Sequence, residues 1–177
     1  LPHVILKQND LKLADVTIPC AIINSGEDKD PIRVLTEYGI TKALFGEASG
    51  ASKRLKNAAK YDGALLPVFL APGQLEPFIN NSLNDGPILK PIEYVDGKRI
   101  ITGYDARILP VICDIWLKAR EAGALQKQQL DKAQKAEILM RALAHAAMID
   151  SIDANKFNKI EIQTETLPFF IIIFRYK

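Results

Sequence analysis

From Tyr104 to Ala147 the apolar positions follow the rhythm of two helices folded back on each other. In the first arm Ile108, Ile112, Ile115, Ala119 and Ala122 recur at steps of four and three, the spacing of one helical face. Leu109, Cys113 and Trp116 widen the stripe beyond what a solvent-facing helix needs. Asp105 stands where an N-cap carboxylate would accept from the opening amides. Pro110 falls early, where a missing amide costs less, and Lys118 and Arg120 fall late, where they complement the helix dipole. Gly123 is placed to close the helix. The second arm is predicted from Gln126 or Lys127 to about Ala147, with a stripe of Ala133, Ala136, Met140, Leu143 and Ala147 flanked by Leu130 and Leu139. So many alanines permit close approach, and the short connection makes the arms an antiparallel pair.

Ahead of this pair the pattern changes to strands. Leu11–Leu13 and Val16–Ile23 are β-prone, and Pro19 inside the second predicts an edge position. The polar stretch 24–30 is a turn, and 31–35 reads as the returning strand. Thr36 is a natural N-cap for a short helix through Phe45 with Ile40 and Leu44 inward. A buried run covers Leu65–Leu70, and a short helix is predicted over Leu75–Leu83 with Phe78, Ile79 and Leu83 inward. Ile88–Val95 and Lys98–Gly103 form a hairpin whose Asp96-Gly97 signals a type I′ turn. The pattern predicts an α+β domain over 1–150, in which antiparallel β-hairpins pack on an antiparallel helical hairpin, with short extra helices. Residues 151–177 read as a short tail, with a dense apolar run at Phe169–Phe174, forming either an added strand or a truncated or frame-shifted end.

Composition narrows this picture only slightly. The 177 residues suit one domain, and 48% hydrophobic with 25% charged residues supply an ordinary core. The net charge of +2 selects no partner. Cys20 and Cys113 lie in apolar settings and read as reduced core residues, which predicts a cytoplasmic protein. No apolar run is long enough to cross a bilayer, and Leu1–Asp10 lacks the features of a secretory signal. A start at Leu1 rather than Met points to an incomplete reading frame.

Candidate chemistry is sparse. The segment 46–52 is rich in Gly and Ser, but Ala51-Ser52 separate Gly50 from Lys53, so it fails the phosphate-loop pattern. Lys53, Arg54, Lys56 and Lys60 crowd the next positions, and 31–62 carries six positive against three negative charges. Cations beside a pliable segment can follow a phosphate backbone. Lys98 and Arg99 at the hairpin tip would add a second contact, since a two-stranded ribbon fits the major groove. The plainer alternative is a set of solvated loop cations. His145, one and two turns beyond Arg141 and Glu137, has no catalytic partner, and Glu137–Arg141 reads as a surface ion pair. Asp105 and Asp114 read as a cap and a surface charge rather than an acid/base pair. No catalytic, metal-binding or cofactor constellation is legible.

Several phrases resemble a family of phage and prophage proteins named for a C-terminal domain, P-sixty-three-C. They are Ile18-Pro19-Cys20-Ala21, Arg33-Val34-Leu35-Thr36 with Thr41-Lys42-Ala43-Leu44, and Leu75-Glu76-Pro77-Phe78-Ile79. Gly103-Tyr104-Asp105-Ala106 with Ile108-Leu109-Pro110 and Ile112-Cys113-Asp114 follows, then Ala136-Glu137-Ile138-Leu139 with Arg141-Ala142-Leu143-Ala144. The resemblance spans roughly Leu11 to Ile149 and implies a phage-borne, cytoplasmic protein without the naming domain. It carries no catalytic residue over. The layout is also similar to phage antirepressor-type N-terminal domains, which bind DNA.

The functional expectation is therefore a phage-type nucleic-acid-binding or regulatory module with DNA as partner, contacted through Lys53, Arg54, Lys56, Lys60, Lys98 and Arg99. The alternative is a non-catalytic interaction module that self-associates through the helical hairpin.

Overall fold

The computed structural model describes residues 3–24, 30–46, 60–61, 64–82 and 89–157. Five strands build one antiparallel sheet: β1 (Ile5–Leu13), β2 (Val16–Ile23), β3 (Ile32–Thr36), β6 (Ile92–Asp96) and β7 (Arg99–Asp105), in the order β1-β2-β3-β7-β6. Two short strands, β4 (Lys60–Tyr61) and β5 (Ala64–Leu65), pair separately. The helices are α1 (Glu37–Phe45), α2 (Glu76–Ser82), α3 (Ile108–Glu121) and α4 (Leu130–Phe157). The expected α+β architecture, strands packed on a helical hairpin, is the one observed.

The helical pair forms as its periodicity demands. Ile108, Ile112, Ile115 and Ala119 are fully buried, as are Cys113 and Trp116 on the wider stripe. Ala122 is instead exposed, because the helix is already ending there and Gly123, at φ +67°, turns the chain. On α4 the buried positions are Ala133, Ala136, Leu139 and Leu143. Leu139 replaces Met140 at the centre of the stripe, and Leu130 is exposed. The helix runs on to Phe157, past the end predicted near Ala147 and across position 150. Residues 158–177, including the apolar run, lie outside the described residues.

Asp105 is not the N-cap. It ends β7, its carboxylate accepts from the Arg107 amide at 2.9 Å and pairs with the Arg107 guanidinium at 2.7 Å, and α3 starts without a side-chain cap. Thr36 does cap α1, accepting from the Gly39 amide at 3.0 Å. Pro19 lies in a strand flanked on both sides rather than at an edge. It is tolerated because β3 pairs with β2 only from Cys20 to Ile23, so β2 has one neighbour at Pro19. The β6–β7 hairpin forms as predicted, but its loop is Gly97-Lys98, between paired Asp96 and Arg99. Positive φ occurs only at Gly97, +60°, which suits a type II′ rather than a type I′ turn.

The sheet curls strongly. His3, just ahead of β1, bridges in parallel to Tyr94 of β6: its amide donates to the Glu93 carbonyl at 3.1 Å and its carbonyl accepts from Val95 at 3.3 Å. The two outer strands thereby meet, and the sheet wraps into a small barrel. A register irregularity between Ile5 and Lys7 supplies extra bend. The outer face, with Leu11, Leu13, Ile18 and Leu35, packs with the helices in the main core. The inner face holds a second core of Ala21, Ile23, Val34 and Tyr94, joined by Ile5, Ile32, Ile92 and Ile101.

Candidate functional site

Along the barrel axis the inward positions change chemistry. One end is filled by Ile5, Ile23 and Ile32, which adjoin one another through the strand register, and Ile92 packs against the same cluster. Four or five residues further along β1, β3 and β6 stand Asp10, Thr36 and Asp96, with Arg99 opposite Asp96. Polar side chains do not fill that end, and an open groove of about 850 Å³ remains. The first turn of α1 forms one side of it with Glu37, Tyr38 and Thr41.

Three features give the groove its character. Tyr94 is only 3% exposed yet lines the groove, and among the described residues its hydroxyl meets no hydrogen-bond partner. Burial first, then the charges of Asp96 and Cys20, push its pKa above the usual phenol value. Asp10, Asp96 and Arg99 are solvent-exposed and form no ion pair among the described residues. Tyr38 is 59% exposed on the rim. Among the described residues, three carboxylates (Asp10, Glu37, Asp96) share the lining with a single guanidinium. The arrangement can bind and orient a ligand.

The sequence-predicted site divides. Lys53, Arg54 and Lys56 lie outside the described residues, and of Lys60 only the backbone, opening β4, is described. Lys98 occupies the second position of the β6–β7 loop, exposed, while Arg99 turns into the groove beside the carboxylates. Tyr94, Asp96 and Asp10 escaped sequence reasoning. A signal was available: Ile92, Tyr94 and Asp96 alternate along one strand face, and an inward face ending in Asp marks the point where a core opens to water.

The remaining candidates keep structural roles. Cys20 and Cys113 are free and buried, and burial pushes both thiols up to about 12. Glu137 pairs with Arg141 on its own helix and also with Arg120 of α3 at 2.8 Å. Asp114 pairs with Lys118 on the surface of α3. His145 is exposed. Ala133 and Ala136, predicted on the stripe that packs the two arms together, are fully buried within the chain. Among the described residues no group of three or more His, Cys, Asp or Glu is placed to hold a metal, and no helix is long and apolar enough to cross a membrane. Neither family models, nor curated proteins, nor solved structures give a match to this chain.

Proposed function

We propose that the chain is a non-catalytic binding module whose contact surface is the open mouth of the barrel. The observation that supports this is Tyr94, whose buried ring delivers an unpartnered hydroxyl to a groove rimmed by unpaired Asp10, Asp96 and Arg99. A buried ring that opens its hydroxyl into a groove, among a few polar groups on a mostly apolar lining, has the usual make-up of a ligand site. The resemblance to phage and prophage proteins supports a cytoplasmic setting for such a module. Two-dimensional NMR of the full chain with small amines, carboxylates and phosphates tests the reading. Amide shifts should concentrate on Tyr94–Thr102 and Thr36–Tyr38; a probe set that moves neither segment refutes it.

A second reading, binding of nucleic acid, is favoured by the tip of the β6–β7 ribbon. Lys98 and Arg99 are both exposed there and unpaired among the described residues. Lys53, Arg54, Lys56 and Lys60 would add phosphate contacts. DNA affinity should then fall steeply with salt and weaken when the six cations are replaced. The carboxylates around Arg99 oppose this reading, which is why it stands second.

A further inference from the structure

We propose that the barrel mouth receives an extended peptide segment carrying a lysine or arginine side chain, an inference that rests on the mouth being the contact surface.

Charge is the first argument. Asp10 and Asp96, unpaired among the described residues, line the groove against Arg99 as the single cation of its described lining, so the site favours positive charge over a phosphate backbone. The Tyr94 hydroxyl at the floor has a lone pair free to accept from an ammonium or guanidinium. Tyr38 on the rim offers an exposed ring face to the aliphatic stem or to the cation itself.

Shape is the second argument. The outer strands touch only around His3 and Tyr94, and β1 continues to Leu13 with β2 alone beside it in the sheet. Gln8, Asn9 and Asp10 of that edge line the groove. A strand edge beside a groove suits an added strand, whose main chain supplies affinity while alternate side chains enter the pocket. The basic side chain would lie between Asp10 and Asp96 above Tyr94.

The test uses the full chain and a fluorescein-labelled peptide alternating Lys with Thr, its Glu–Thr counterpart, and a short labelled DNA duplex. Saturable anisotropy is expected for the Lys–Thr peptide alone, with amide shifts at Gln8–Asp10 and Tyr94–Thr102. D10N and D96N should each weaken it about two- to fivefold, the scale of an exposed charge pair. Y94F should weaken it with the fold intact by circular dichroism. R99Q carries the opposite sign: it strengthens binding of the basic peptide. Equal binding of the Glu–Thr peptide, or DNA binding that R99Q reduces, overturns the proposal. If the peptides fail while small probes still shift the mouth amides, the peptide is wrong and the contact surface stands. If no probe shifts them, both fall.

Discussion

The indole nitrogen of Trp116 donates to the main-chain carbonyl of Phe69 at 3.0 Å, joining two segments 47 residues apart. Phe69 belongs to a short 3₁₀ turn, Val68–Leu70, which carries no sheet hydrogen bonds of its own. Both residues are fully buried, and Phe45 meets the indole edge-on at 5.8 Å. The bond therefore fixes the turn against α3 and satisfies a carbonyl that water cannot reach.

Replacing Trp116 with Phe keeps most of the ring but leaves that carbonyl unpaired. The expected loss is about 1–3 kcal/mol, the penalty for an unsatisfied buried group, with some cavity cost added. Urea denaturation of W116F against wild type measures it. A loss below about 0.5 kcal/mol, the lower bound for an ordinary net hydrogen bond, would mean that the tie contributes little.

Gly103 of β7 pairs with Thr36 of β3. A Cβ there would run into Val34 Cγ1 and stand 2.6 Å from the Leu35 carbonyl oxygen. The second neighbour is backbone and cannot rotate away, so G103A must push the strands apart. A cost of about 1–3 kcal/mol is expected, as for overpacking in a closed core. G103A/V34A removes only the side-chain clash and should recover only part of the loss. Complete recovery of the thermal midpoint in the double variant would show that the carbonyl contact is not limiting.

The helical pair was legible in the sequence because its period of 3.6 holds over more than ten residues in each arm, enough to outweigh errors at Ala122 and Met140. The Asp96-Gly97 hairpin was legible in place but not in turn type, because Gly97 supplies positive φ at either of two loop positions. The first part of β1 was hidden. Leu6 to Asp10 are all exposed, so no buried alternation marks them as a strand. The mouth was hidden for a topological reason. Asp10, Glu37 and the hairpin that carries Tyr94 and Arg99 come from three separate stretches, and the contact that closes the barrel is a pair of main-chain hydrogen bonds at His3, which leave no trace in side-chain chemistry.

Glu137 makes the hairpin sensitive to acid. The hydrogen bond from Arg120 is the largest cause, followed by the charge of Arg141, and together they hold its carboxyl below the usual value of 4.5. A depressed folded value means that the stabilisation is present above the unfolded pKa and is lost as pH falls through the folded one. Wild-type thermal midpoints should therefore drop below about pH 4.5 more steeply than those of E137Q. Molar salt should shrink the difference, because both pairs are partly open to solvent. Parallel profiles for the two proteins would remove Glu137 from the account.

At the alkaline end the thiols act in the opposite sense. Burial, then the charge of Asp10 for Cys20 and of Asp114 for Cys113, raises both from 9.0 to about 12. The fold holds a proton that the unfolded chain releases above about pH 9, so stability present below that value is lost as pH rises towards about 12. Tyr94 and Tyr104, both raised above 10.0 chiefly by burial, act in the same direction. Urea midpoints measured from pH 7.5 to 11 should fall, and less steeply in C20A/C113A, where only the tyrosines remain to contribute. Ellman's reagent at pH 8 should leave both thiols unmodified in the folded protein and label both in urea. Rapid labelling of Cys20 without urea would show that its hydrogen bond to the Asn9 carbonyl, at 3.0 Å, does not hold β1 against β2, and the edge of the mouth would then be opening in solution.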